Sequence, residues 1–262
     1  ASKSKQATSR KKILEKINLD DIEPSSRKYP AIILSSEREA GDQILHINNM
    51  SKSLDSELLF SNLNLNVSRG DKIALISKND LATTALYEIL NGIISPDSGD
   101  FKFGQTITTG YLPNENKEFF EEKQSLIDWL RQFSSNKDEV YIRGFLGKML
   151  FSGEETLKMA DVLSGGEKVR CMISRMMLKG GNFLMLDEPT NHLDLESIQA
   201  FNNALINFPG TVMFTCHDHH FTQTVANRIV EITPKGCLDK LMTFDEYISS
   251  PKIKEQKELI LK

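Results

Sequence analysis

The sequence predicts an α/β fold whose core is a mostly parallel β-sheet. Residues 72–76 are a short apolar run, KIALI, and apolar residues follow at helical spacing across 83–93. Two further apolar runs, at 183–186 and 212–215, each stop where polar residues begin. Open α/β sheets bind ligands beyond the carboxyl ends of their strands. We therefore expect function at the ends of these three strands.

The first 41 residues differ from the rest of the chain. Residues 1–18 combine helix-forming residues with apolar Ile13, Leu14 and Ile17, which predicts a surface helix. This stretch is basic, a pattern typical of a solvated helix face but also able to meet a phosphate backbone. Two prolines break regularity between residues 20 and 30, which indicates a linker.

A second sheet and a helical region are predicted between these runs. Residues 44–47, 58–67 and 101–111 have the composition of strands in a mostly antiparallel sheet. Residues 123–160 are expected to be helical, with one apolar face formed by Leu126, Ile127, Trp129, Leu130 and Phe133.

Bulk properties favour a soluble intracellular chain. Of the 262 residues, 39% are apolar and 26% are charged, and the formal charge of -4 argues against wholesale coating of nucleic acid. No apolar stretch approaches the roughly 20 residues that span a bilayer, and no secretory segment is visible. Three scattered cysteines (Cys171, Cys216 and Cys237) are those of a reduced, cytoplasmic protein.

The strand at 183–186 ends in two carboxylates. Asp187 could organise Mg²⁺, and Glu188 beside it is a candidate general base for water. Two solvated acids at a strand end would be the ordinary alternative. The continuation 189–194, PTNHLD, favours the functional interpretation, and Asp194 is expected to cap a helix over 195–205.

Residues 163–168, LSGGEK, form the other strong motif. Ser164, Gly165 and Gly166 precede a helical stretch over 168–178, so backbone N–H groups are left uncovered at a helix N-terminus. Such an end binds anions, because unpaired donors and the helix dipole both favour negative charge. A serine cap with a flexible turn is the simpler alternative.

Together these strings resemble the signature and Walker B motifs of the ATP-binding cassette (ABC) ATPases. Residues 216–218, CHD, match the family's switch-histidine position. The resemblance implies a P-loop NTPase fold of the ABC type, with a mostly parallel core sheet, an antiparallel β subdomain and a helical subdomain at about 115–165. It also implies ATP and Mg²⁺ as cofactors, the metal bound through Thr84 and Asp187, with Glu188 and His217 catalytic. A metal site at His217, His219 and His220 beside Cys216 is the less favoured alternative.

The run NHLD at 191–194 is typical of the ABC-F subfamily, whose members carry two cassettes and no membrane domain. Residues 1–41 resemble the end of its interdomain linker and residues 42–249 one nucleotide-binding domain. Residues 250–262, outside the resemblance, are predicted to be a charged tail. This resemblance implies the C-terminal half of a longer protein, paired with a second cassette in the same chain or in a dimer. ABC-F proteins act mostly on ribosomes, and their linker reaches toward tRNA.

The phosphate-binding loop departs from the family pattern Gly-x-x-x-x-Gly-Lys-[Ser/Thr]. Residues 77–84 are SKNDLATT, so Ser77, Ala82 and Thr83 replace both glycines and the lysine, and only Thr84 fits. Because its length is preserved, we expect a loop with altered chemistry. The nucleotide-binding residues implied by the resemblance are Ser77, Lys78, Asn79, Asp80, Leu81, Ala82, Thr83, Thr84 and Asn114.

Several substitutions predict a weak ATP site. Loss of the lysine removes a contact worth about 1.5–3 kcal/mol, and Asp80 adds negative charge. Leu54 stands where the family has an adenine-stacking aromatic, with Phe60 a substitute only if the strand register allows it, and Asn114 replaces a glutamine. We therefore expect Ser164, Gly165 and Gly166 to serve a nucleotide held by the partner cassette. The alternatives are a pseudo-ATPase module and a transporter ATPase subunit.

Overall fold

A computed structural model of the protein describes residues 28–261. The expected surface helix at 1–18 and most of the expected linker lie outside the described residues. Within them, no helix is both long and apolar enough to cross a bilayer. The strands are β1 (Gln43–Leu54), β2 (Glu57–Ser68), β3 (Lys72–Ser77), β4 (Ser98–Phe103), β5 (Thr109–Leu112), β6 (Phe183–Asp187), β7 (Thr211–Thr215), β8 (Arg228–Thr233) and β9 (Gly236–Lys240).

Eight α-helices and three short 3₁₀ turns complete the described part of the chain. The helices are α1 (Asp80–Leu90), α2 (Leu126–Arg131), α3 (Glu139–Lys148), α4 (Gly165–Lys179), α5 (Leu195–Asn207), α6 (His219–Val225), α7 (Phe244–Ser249) and α8 (Pro251–Leu261). The 3₁₀ turns are Lys117–Phe120, Gly153–Leu157 and Ala160–Val162.

The core sheet has six strands in the order β5-β6-β7-β3-β8-β9. All neighbouring pairs are parallel except β8 with β9, which confirms the predicted α/β class. The three apolar runs are β3, β6 and β7, and every residue of β6 and β7 is buried. Strands covered on both faces need continuous apolar sequence. Because these strands are adjacent and parallel, their carboxyl ends meet at one edge.

A separate antiparallel sheet has the order β2-β1-β4 and contains the expected strands at 44–47 and 58–67. The expectation of one strand across 101–111 is wrong. β4 ends at Phe103, and β5 pairs with β6 in the other sheet. A turn separates them, in which the Ile107 amide donates to the Gly104 carbonyl. A Cβ on Gly104 would lie 2.0 Å from the Gln43 carbonyl oxygen, so the chain turns where only glycine fits.

Several helices begin earlier than the sequence pattern predicts. Helix α1 begins three residues before the expected start at 83, and α4 begins at Gly165 rather than at 168. In both cases a polar side chain caps the first turn, Asn79 for α1 and Ser164 for α4, and carries the helix into the preceding motif. Asp194 caps α5 as predicted, accepting from the Ser197 amide.

The helical region packs against the core sheet through the predicted apolar face. Leu126, Trp129 and Leu130 are fully buried, and Trp129 stacks on Phe120 with 4.6 Å between ring centroids. Residues 123–160 are not continuously helical: α2 and α3 alternate there with a 3₁₀ turn. This cluster joins the core on one face of the parallel sheet, while the antiparallel sheet and α1 cover the other.

Charged contacts tie the sheet to its edges. At the start of β8, the Arg228 guanidinium donates to Asp71 and Asp239, with both closest contacts at 2.5 Å. Further along β8, buried Glu231 accepts from the Tyr247 hydroxyl at 2.6 Å and pairs with Lys257 of α8 at 2.6 Å. The region interpreted as a charged tail is thus helical over 251–261 and joined to the sheet.

Candidate functional site

Asp187 lies at the end of β6 and is almost fully buried. Its carboxylate accepts hydrogen bonds from Thr84 at 2.8 Å and Thr215 at 2.9 Å, which come from α1 and β7. Burial raises the pKa of Asp187, and the two hydroxyl donors oppose that rise. Carboxylate and hydroxyl oxygens are the ligand types that Mg²⁺ takes. The structure therefore brings together the two residues that the resemblance assigns to the metal.

Glu188 follows directly and has a left-handed backbone with φ of 50°. Such a conformation is costly for a non-glycine residue and is held by its surroundings. Its amide donates to the Thr215 hydroxyl at 3.0 Å, and its carboxylate accepts from the His217 amide at 3.4 Å. Burial raises the pKa of Glu188, and His217 opposes the rise. A carboxylate with a raised pKa at a strand end suits a general base.

His217 stands between two carboxylates. Its Nε2 lies 3.5 Å from Glu188 and 3.7 Å from Asp80, and its side chain is 73% exposed. His219 turns away and pairs with Asp245 at 2.9 Å. Across residues 28–261 no group of three or more His, Cys, Asp or Glu side chains is placed to hold a metal ion. The arrangement does not support the alternative of a histidine metal site.

The expected phosphate loop is largely absent, because α1 takes over most of its residues. Only Lys78 and Asn79 connect β3 to α1. Asn79 is the reason: its side-chain oxygen accepts from the Leu81 amide at 3.0 Å, and its carbonyl accepts from the Ala82 amide at 3.0 Å. Asparagine is a favoured helix cap. The expectation of a preserved loop is therefore wrong, and these two amides already have acceptors.

The remaining loop positions add no cation at the strand ends. The Asn79 amide donates to the Ser77 hydroxyl at 3.2 Å, and the buried Thr83 hydroxyl donates to the Asp80 carbonyl at 2.9 Å. Lys78 is exposed and lines a neighbouring cavity of about 270 Å³ bounded by β2, β8 and α8. Neither Thr83 nor Lys78 places a cation at the strand ends.

Leu54, at the position where an adenine-stacking aromatic is expected, is 44% exposed at the end of β1. Phe60 is fully buried in the core beneath the antiparallel sheet, so it cannot replace the stacking aromatic. The Asn79 side-chain amide donates to Glu57 at 3.0 Å and joins the β1–β2 hairpin to the start of α1. Asn114 is exposed beyond β5 and accepts from the Asn191 side chain at 3.2 Å.

Ser164, Gly165 and Gly166 form the capped N-terminus of α4. The Glu167 carboxylate accepts from both the amide and the hydroxyl of Ser164, at 2.9 and 2.8 Å, which makes a capping box. A Cβ on Gly166 would lie 2.6 Å from the His192 carbonyl oxygen, and one on Gly165 would lie 3.2 Å from the His192 ring. The sequence motifs assign no functional role to His192. Its contact with both glycines depends on tertiary packing, which no local signal reveals.

The comparisons with known proteins agree with this geometry. The sequence model of the family described as ABC transporter matches residues 60–191. The chain belongs to the ABC transporter family. It is an ATPase cassette of that family, and its fold is similar to solved cassettes. The dimeric structure of MJ0796, a bacterial ABC transporter cassette, superposes with a TM-score of 0.65 at 15% identity, covering 76% of this chain and 99% of that one.

Three curated relatives show how much of a whole protein the cassette spans. YkpA of Bacillus subtilis, an uncharacterized ABC transporter ATP-binding protein, is 54% identical over 258 residues, which are 98% of this chain and 48% of YkpA. ABC transporter F family member 5 of Arabidopsis thaliana is 28% identical over 90% of this chain and 34% of its own. EttA of Escherichia coli, an energy-dependent translational throttle protein, is 31% identical over 75% and 36%. The chain therefore spans from about a third to about half of these relatives.

The capping box at the start of α4 predicts how the free energy of unfolding depends on pH. The Lys158 ammonium and the Ser164 donors lower the pKa of Glu167 from 4.5 to about 2. A lowered folded-state pKa stabilises the fold above the usual pKa, and this contribution is lost as the pH falls toward 2. We expect Glu167→Gln to lower the free energy of unfolding by about 1 kcal/mol at pH 7, with no difference near pH 2.

Urea unfolding at the two pH values measures this effect. Glu246→Gln is the matched control, because Glu246 closes a second capping box with Thr243 but lacks a lysine partner among the described residues. We expect Glu246→Gln to lower the free energy of unfolding at pH 7 by less than Glu167→Gln does. If Glu167→Gln lowered the free energy of unfolding equally at both pH values, the ionised Glu167 carboxylate would not be the source of the stabilisation.

Proposed function

We propose that this cassette is the second nucleotide-binding domain of an ABC-F ATPase, which acts on the ribosome in translation and is cytoplasmic. ATP-driven closure of a cassette pair would be its mechanism, with this half supplying the signature. The similarity to an F family member and to a translational throttle protein supports the proposal. So does the NHLD run at 191–194. In such a protein residues 1–41 end the interdomain linker, which reaches toward tRNA.

The N-termini of α4 and α1 differ, and this difference supports different roles for the two nucleotide sites. At the start of α4 the amides of Gly165 and Gly166 have no acceptor among the described residues, while at the start of α1 the amides of Leu81 and Ala82 already donate to Asn79. Ser164, Gly165 and Gly166 therefore serve the nucleotide of the partner cassette. The cassette's own site, lacking the lysine, binds ATP weakly, because that charge-assisted contact is worth about 1.5–3 kcal/mol.

The remaining strand-end residues act on any nucleotide that does enter the cassette's own site. Thr84 and Asp187 are the residues that would hold Mg²⁺, and the ion would neutralise charge on the phosphates. Glu188 takes a proton from the attacking water, and His217 contacts the γ-phosphate.

Turnover of the full-length protein tests which composite site hydrolyses ATP. We expect Ser164→Ala to lower ATP turnover by about tenfold or more, because a hydrogen bond to a charged phosphate, worth about 1.5–3 kcal/mol, is lost. Thr243→Ala removes a comparable cap elsewhere and is the matched control. We expect Glu188→Gln to change turnover by less than about twofold. Loss of turnover in Glu188→Gln with Ser164→Ala unaffected would place hydrolysis in the cassette's own site and reject the proposal.

Binding to the isolated chain tests the pseudo-ATPase version of the proposal, in which this half never turns over its own nucleotide. Isothermal titration with ATP and Mg²⁺ should show no binding below the millimolar range. Submillimolar binding that Asp187→Ala abolishes would reject this version.

An ATPase subunit of a transporter is the second candidate. The family description and the name of YkpA support it. Copurification of the full-length protein with a membrane permease would favour this candidate over an ABC-F role, and cosedimentation with ribosomes would favour the reverse.

A further inference from the structure

A small cavity of about 170 Å³ lies at the ends of β3 and β7, between Thr83, Glu188 and His217. Thr83 stands at the position of the family's lysine, and no lysine or arginine is among the described residues that line the cavity. Asp80 and Glu188 both contribute carboxylates to its wall. A terminal phosphate entering here would meet two negative charges and one histidine.

Asp80 already makes the contact that such a phosphate would make. Its carboxylate lies 3.7 Å from His217 Nε2, on a side chain that is 71% exposed. Glu188 also approaches the same His217 nitrogen, at 3.5 Å. An acidic side chain in the first turn of a helix is also stabilised by the helix dipole, as a bound phosphate would be.

Asn79 occupies the N-terminus of α1, next to this cavity. Its side-chain oxygen accepts from the Leu81 amide at 3.0 Å, so a neutral oxygen of the chain stands at the helix N-terminus. Its side-chain amide donates to Glu57 at 3.0 Å, which fixes that orientation against the β1–β2 hairpin. Helix N-termini are anion sites only while their amides remain unpaired.

We propose that the Asp80 side chain takes the place of the γ-phosphate in the cassette's own nucleotide site. Asp80 pairs with His217, and Asn79 caps the helix N-terminus, so that the protein's own side chains occupy the positions that the phosphates of ATP would take. This inference rests on the proposed function, since it accounts for the weak ATP binding proposed for the cassette's own site. Replacing Asp80 should open the site, and should favour ATP over ADP because only ATP carries the group that competes with Asp80.

The test compares ATP and ADP binding by titration calorimetry of the 262-residue chain with Mg²⁺ present. We expect Asp80→Asn to strengthen ATP binding about fivefold, the limit for an exposed charge contact, with a smaller gain for ADP. Asp100→Asn removes an exposed aspartate of β4, in the antiparallel sheet and not among the residues that line the cavity, and should change neither affinity. We expect Asn79→Ala to strengthen both nucleotides alike, because it frees the helix N-terminus and not the histidine.

Equal gains for ATP and ADP in Asp80→Asn would overturn the inference, and so would no gain or no detectable binding at millimolar ATP. Thermal unfolding checks that each variant is folded, and Asp80→Ser, which keeps a polar group in the first turn of the helix, takes the place of Asp80→Asn if that variant is not. The proposed function fails on a different result, tight ATP binding by the unaltered chain or turnover lost in Glu188→Gln, so the two failures are distinguishable.

Discussion

Arg228→Met is expected to lower the free energy of unfolding of the cassette by about 3 kcal/mol. The Arg228 side chain is 11% exposed and bridges Asp71 and Asp239, which are 13% and 33% exposed. Removing one partner of a largely buried ion pair costs about 3–5 kcal/mol, because the remaining charge is left unpaired. The partial exposure of Asp239 places the value at the lower end of that range.

Urea unfolding of the wild-type and variant chains measures the difference. Arg69→Met is the matched control, since Arg69 and its partner Glu39 are 51% and 90% exposed and 3.9 Å apart. The control is expected to cost less than about 1 kcal/mol. A loss from Arg228→Met no larger than that of the control would mean that the bridge between β8, β9 and the start of β3 contributes little to stability.

Gly166→Ala is expected to lower ATP turnover of the full-length protein about 100-fold. The added Cβ would lie 2.6 Å from the His192 carbonyl oxygen, and backbone at that distance must move. Displacing a substrate-positioning element by about 1 Å costs on the order of 100-fold in rate. The same crowding should destabilise the isolated cassette by about 1–3 kcal/mol.

Gly147→Ala is the control for both measurements. Gly147 lies in α3, and a Cβ there meets no atom within 4 Å. It should therefore leave turnover unchanged and stabilise the chain slightly, by about 0.4–1 kcal/mol. Wild-type turnover in Gly166→Ala would show that contact between the signature and the His192 loop is not needed for catalysis.

Much of the fold could be predicted because its signals are local. The runs that became β3, β6 and β7 are uninterrupted apolar stretches, and a strand buried on both faces has no other pattern. Asp194 capped its helix as expected for the same reason, since a cap depends on residues three positions apart. The division at Gly104 could not be predicted, because it depends on how closely the Gln43 carbonyl approaches.

The candidate site could likewise be predicted only where its signals are local. The motif strings located Asp187, Glu188 and His217, and the structure brings them to one edge with contacts of 3.4–3.5 Å between Glu188 and His217. The burial of Phe60 and the packing of His192 on the signature glycines lie outside any such string. Both follow from strand register and from contacts between distant segments.

By itself the sequence determined the family and the positions of its motifs, because those are short strings whose chemistry is legible residue by residue. It also showed that the loop at 77–84 had lost its glycines and lysine. Only the tertiary structure decided what replaced that loop. Asn79 caps α1, and Asp80 faces a histidine 137 positions further along the chain, a contact that exists only because β3 and β7 end side by side.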